Sequence, residues 1–120
     1  MAKAMEPEIE LVLRAVPEFA ARYLELVEAA DDDPGPAIGF EELAAFVAEL
    51  AEAVERCRPI LERAMAAVEA VAADPGAEDV VGWSFLDTLS PDERRRLVPW
   101  MGPRTAAALE RIELPAEAHQ

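Results

Sequence analysis

Ten prolines and five glycines are spread so regularly along this 120-residue chain that few uninterrupted segments exceed about 20 residues. Proline removes a backbone donor and clashes with the carbonyl four residues back, and glycine loses more freedom than any other residue in a regular element. Between these interruptions the apolar residues recur at spacings of three and four rather than two. The chain is therefore expected to be all-α and built from short helices.

The segments are readable one by one. Pro7 opens a first helix with Ile9, Leu13 and Val16 on one side. A second runs from Pro17 to Ala30, with Phe19, Tyr23, Leu26 and Val27 opposite Glu18, Arg22, Glu25 and Glu28. Residues 31–39, with two prolines and two glycines, are expected to be the longest loop. A third helix is expected from Phe40 to Arg56, with Phe40, Leu43, Phe46, Val47, Leu50 and Val54 in one sector. Pro59 is expected to restart a fourth helix that continues to Ala73, directing Glu62, Arg63 and Glu69 outward. Cys57 and Arg58 then form the corner of an antiparallel hairpin.

From Asp79 to Leu89 the apolar residues surround the helix, which predicts burial on all sides, Trp83 included. Ser90-Pro91-Asp92-Glu93 is a capping box with proline at the first helical position. The helix it opens ends before Gly102, and a last one spans Pro103 to Ile112 with Ala107, Leu109 and Ile112 facing inward. Residues 1–5 are expected to be disordered, 6–114 to form one helical domain, and 115–120 to fray. The expected fold is a bundle of six or seven short helices arranged as antiparallel hairpins. Stacked units of the HEAT or armadillo kind and a compact orthogonal bundle both fit this succession.

Composition narrows the function. With 25 acidic against 11 basic residues the formal charge is −14, which disfavours phosphate-backbone binding and anionic membrane surfaces. Residues 1–56 hold 14 acids and 4 bases (−10), leaving 11 acids and 7 bases (−4) in 57–120. No apolar run resembles a signal peptide or a membrane span, so a cytoplasmic protein is expected. Cys57 is the only cysteine, which rules out an internal disulfide and fits a reducing setting. His119 is the only histidine and lies in the tail, leaving no Ser/His or Cys/His pair for nucleophilic catalysis. A non-enzymatic protein with no cofactor and no metal is expected. Asp31, Asp33 and Glu42 do stand at positions 1, 3 and 12 of an EF-hand-like spacing. Pro36, however, replaces the required glycine, and Gly35 and Gly39 bring no side-chain oxygen.

Two further clusters stand out. Arg94, Arg95 and Arg96 fan around their helix and are expected to pair with nearby acids or the helix dipole. Trp100, in the proline-bracketed corner Val98–Pro103, is a candidate interface anchor, although burial under the last helix is the stronger expectation. The main candidate binding surface is acidic. Glu41, Glu42, Glu49, Glu52 and Glu55 fall within about 140° of the third helix and follow the Asp31-Asp32-Asp33 run. Like charges at these spacings destabilise a helix by a few tenths of a kcal/mol per pair, so a face that keeps them suits attraction of a basic protein. A solubilising surface is the simpler alternative.

Four stretches also carry a resemblance: Val16-Pro17-Glu18-Phe19, Glu42-Leu43-Ala44-Ala45-Phe46-Val47, Gly82-Trp83-Ser84-Phe85-Leu86-Asp87-Thr88-Leu89, and Trp100-Met101-Gly102-Pro103-Arg104-Thr105. Together they resemble a family of small bacterial helical proteins of unknown function, met among toxin–antitoxin and immunity-type genes. Family members often have glutamate in place of Asp87 and leucine in place of Met101. The resemblance implies a shared helical fold and a small cytoplasmic binder that neutralises or regulates another protein. The acidic face, the missing catalytic groups and this resemblance together lead to the expectation of an immunity protein that occludes a basic toxin such as a nuclease, with the protein itself a monomer or homodimer. The runner-up expectation is a scaffolding helical module that self-associates through Trp100 and its neighbours.

Overall fold

Proline placement explains most of the helix starts. A computed structural model describes residues 7–30 and 35–113, and among these it contains seven α-helices and no strand. They are α1 (Pro7–Ala15), α2 (Pro17–Ala30), α3 (Pro36–Glu52), α4 (Val54–Ala72), α5 (Glu78–Val80), α6 (Pro91–Leu97) and α7 (Pro103–Glu113). Between α5 and α6 lies a π-helical turn, Val81–Leu86, and between α6 and α7 a 3₁₀ turn, Val98–Trp100. Prolines stand first in α1, α2, α3, α6 and α7, where the missing N–H has no intrahelical partner to lose. No helix among the described residues is long and apolar enough to cross a membrane.

Two of the expected boundaries move. The loop expected over 31–39 gives way at Pro36, because Gly35 takes φ 89° and its carbonyl accepts the first helical bond from Gly39 N–H at 3.1 Å. A left-handed φ of that size favours glycine, and Pro36 then sits where proline is tolerated. The corner expected at Cys57-Arg58 lies instead at Ala53, whose φ of −129° and ψ of 46° break the helix for one residue. Pro59 is inside α4. Glu55, Arg58 and Pro59 are all exposed, so the carbonyl deprived of a donor by Pro59 lies on the side of α4 that water reaches.

Around α3 and α4 the other elements assemble. α3 packs against α1, α2, α4, α5, α6 and the π turn, and α4 against α1, α3, α5, α7 and both turns. Contacts between helices so distant in sequence are those of a bundle, since stacked repeats touch only their neighbours. The core holds Phe19, Tyr23, Phe40, Leu43, Leu61, Met65, Phe85, Leu86 and Leu97, all nearly inaccessible. Gly39 is the point of closest approach. A Cβ there would overlap Ile9 Cδ1 and lie 3.3 Å from Tyr23 Cε1, so the bare backbone lets α1 and α2 settle on α3.

The π turn closes with Asp87 N–H donating to Gly82 O at 3.0 Å, a five-residue span. Val81, Gly82, Ser84, Phe85 and Leu86 are buried, as their apolar surround predicts. Trp83 is the correction: it is 60% exposed. The wider turn places more residues around its circumference than an α-turn does, and position 83 falls on the side away from the core. The α6 capping box forms as expected, Glu93 N–H donating to Ser90 Oγ at 3.2 Å and Ser90 N–H to Glu93 Oε1 at 2.8 Å. In α7 the buried residues are Thr105, Ala108 and Leu109, while Ala107 is exposed, contrary to expectation.

Glu69, read as an outward residue, instead binds the start of α7. Its Oε2 accepts from Arg104 N–H, and its Oε1 from Thr105 N–H and the Thr105 hydroxyl, each at 2.9 Å. Gly102 makes room for it, since a Cβ there would overlap the carboxyl carbon and lie 2.7 Å from Glu69 Cγ. Burial alone would raise the Glu69 pKa, but the Thr105 and Arg104 amides, the hydroxyl and the Arg104 charge outweigh it and hold the group below the usual 4.5. Such a group stabilises the fold above its unfolded pKa and stops doing so as pH falls through its folded pKa. The Tm difference between wild type and Glu69→Gln is accordingly expected to be full at neutral pH and to shrink below pH 4.5. A difference that stays constant from pH 7 down to about 3 in thermal melts would contradict this assignment.

Candidate functional site

Two of the acidic residues of α3, Glu42 and Glu49, face a groove, and α2 forms its other wall. From α2 come Glu18, Ala21, Arg22, Glu25, Leu26 and Ala29, spaced by three and four so that they share one face. From α3 come Glu42 and Glu49, seven residues apart and thus nearly aligned. The groove is open to solvent, has a volume of about 760 Å³, and is lined by four carboxylates, one guanidinium and three apolar side chains.

Arg22 organises the groove. Its Nε donates to Glu42, and Nη1 lies 2.9 Å from Glu49 Oε2. The guanidinium carbon is 6.0 Å from the Phe46 ring centroid, and that ring packs on Phe19 at 5.4 Å. Partial burial would lower the Arg22 pKa, but the hydrogen bonds it donates to Glu42 and Glu49 reverse the effect and raise it. The arginine therefore stays charged. At one end, Arg63 of α4 forms a two-pronged contact with Glu18, at 3.0 and 2.6 Å, and also donates to Ala15 O at 3.1 Å. The Arg63 hydrogen bond is the main reason the Glu18 pKa is lowered. Among the described residues Glu25 is in no ion pair.

The candidate binding residues thus separate. Asp31, Asp32 and Asp33 lie outside the described residues. Glu42 and Glu49 line the groove and share Arg22, so the acidic sector is partly neutralised from a neighbouring helix. Glu41 and Glu52 are exposed on α3, but Glu55 belongs to the first turn of α4, beyond the break at Ala53. Trp100 is half-buried. Its turn packs chiefly on α4 and α6, and the Arg58 guanidinium lies 5.0 Å above its ring. Sequence reading placed Arg22, Glu18 and Glu25 on the polar face of their helix. What periodicity does not supply is that this face turns toward α3.

Other titratable groups are engaged structurally. Arg94 donates to Leu86 O at 3.0 Å and pairs with Asp87 at 3.6 Å and Glu113 at 3.4 Å, while Arg95 pairs with Asp92. Asp87 is exposed, and Arg94 lies beside it. Among the described residues no group of three or more His, Cys, Asp or Glu side chains is placed to hold a metal ion. Cys57 is a half-buried free thiol. What the groove offers chemically is a negative, partly apolar surface with fixed geometry, suited to cationic side chains on a protein. No protein-family model, characterised protein or solved structure matches the chain, so its function is read from this surface.

Proposed function

We propose that this protein is a non-enzymatic binding module of the immunity or antitoxin kind, which neutralises a basic protein by receiving its cationic surface on the α2–α3 groove. The observation that carries the reading is the groove itself: Glu18, Glu25, Glu42 and Glu49 against Arg22 and, at one end, Arg63, over Ala21, Leu26 and Ala29. Carboxylates concentrated in a cleft focus the field on an approaching cation, and the small apolar residues give the partner's aliphatic stems a surface to cover. The exposed Glu41, Glu52 and Glu55 extend the field beyond the groove. The resemblance to small immunity-type proteins supports the same reading, and a cytoplasmic site of action goes with it.

The test is co-expression and co-purification with the product of the adjacent gene, followed by charge reversal in the groove. Glu25→Lys with Glu49→Lys is expected to weaken the complex by about ten-fold, mainly through a slower on-rate, and to reduce its salt dependence. An unchanged Kd, measured by calorimetry at low salt, would remove the acidic groove from the mechanism. Self-association through Trp100 is the second reading, favoured only by the partial exposure of that ring. A salt-insensitive dimer in light scattering would select it, whereas a monomer returns the argument to an outside partner.

A further inference from the structure

α7 is held less by apolar burial than the central helices α3 and α4. Only Thr105, Ala108 and Leu109 of its eleven residues are buried, two of them small, with Ile112 half-buried beside them. Polar contacts fasten both ends: Glu69 takes the first amides, and Glu113 pairs with Arg94, whose side chain is 15% exposed and is itself anchored on Leu86 O. The chain enters α7 through Met101 in an extended conformation and through Gly102, which has no side chain to pack. Its packing on the π turn is incomplete as well. A cleft of about 100 Å³ remains between them, bounded by Asp79, Gly82, Trp83, Ala108, Arg111 and Ile112.

We infer that α7 is a hinged strap, latched by Glu69, that lifts from α4 and the π turn as a unit while α1–α4 stay folded. Lifting turns the covered side of Gly82 and its neighbours to solvent and joins it to the already exposed Trp83 ring, creating an apolar surface that the closed form lacks. The hinge lies at Met101-Gly102. Local opening of this kind is drawn from elements with few buried apolar contacts and polar fastening, which describes α7 and not α3 or α4. The inference is independent of the acidic groove, since none of its residues lines that site.

Native-state hydrogen exchange on the full chain tests it, with Glu69→Gln and Gly102→Ala as separate ways to weaken one latch. The first removes the carboxylate charge, and the second pushes a methyl into its place. Both are expected to speed exchange of the α7 amides, residues 106–113, by about ten-fold, leaving the core amides of α3 and α4 unchanged. In a Trp100→Phe background the same variants are expected to shift the Trp83 emission. Wild type alone gives a further reading: α7 amides should exchange with a smaller denaturant dependence than those of Val47 or Val68. Acceleration of α7 and α4 by one common factor would overturn the strap, because α7 would then open only when the whole domain unfolds. Unchanged α7 exchange in both variants would overturn the latch.

Discussion

Phe85→Ala is expected to cost about 3–5 kcal/mol of unfolding free energy, whereas Trp83→Ala, two residues earlier, is expected to cost less than about 1 kcal/mol. Both are large aromatics on the same turn, so composition and local sequence give no reason to separate them. Burial does. Phe85 is fully enclosed in the core while Trp83 is 60% exposed, so deleting the phenyl ring leaves a cavity and deleting the indole mostly returns surface to water. Domains of this size have about 5–15 kcal/mol in hand, so Phe85→Ala removes a large share of it. Urea titrations of the two variants provide the check, and equal midpoints would show that the π turn is not oriented as described.

The second large effect is expected at Gly39. Glycine within a helix ordinarily costs about 1 kcal/mol relative to alanine, so Gly39→Ala at an unconstrained site would stabilise. Here the added methyl overlaps Ile9 Cδ1, and Ile9 Cγ1 and Tyr23 Cε1 are both 3.3 Å away. Ile9 and Tyr23 are each 1% exposed and have little room to retreat. Gly39→Val, which adds still more bulk, is expected to lose about 3 kcal/mol through overpacking. A compensating change isolates the cause: Ile9→Val deletes the Cδ1 that the new methyl meets. In that background Gly39→Ala is expected to become neutral or stabilising, a coupling that a double-mutant cycle in urea reads directly. Independent, additive effects would place the cost of the substitution somewhere other than this contact.

The helices that read correctly from sequence are those whose signals are local. Ser90-Pro91-Asp92-Glu93 closes its capping box within four residues, and Pro17 to Ala30 carries both its start and its stripe in one segment. Elsewhere a breaker residue serves the tertiary structure. Gly35 and Pro36 form a helix start rather than a loop, and Gly39 is absent bulk for Ile9 and Tyr23 rather than a weak point. Pro59 stands within α4 because its orphaned carbonyl faces solvent, which depends on the burial of the opposite side. The candidate binding residues follow the same division. The glutamates of α3 could be seen as a face, but Arg22, 20 residues before Glu42 in sequence, could be placed among them only by the packing of α2. Glu69 is the clearest case, since an isolated acid at a helical position carries no local sign that it caps another helix.

Arg22 also changes how the charge of this protein is to be counted. Its guanidinium is an internal tenant of Glu42 and Glu49, so a cation arriving from outside meets two carboxylates already served and must either share them or exchange places with the resident. Glu18 is similarly let to Arg63. On the proposed reading, a basic partner would swap counterions at three of the four groove carboxylates, Glu18, Glu42 and Glu49, and would simply add at Glu25. For a partner of the proposed kind, the formal −14 would set how strongly it is drawn in from a distance, while these tenancies would set how much of that attraction survives at contact.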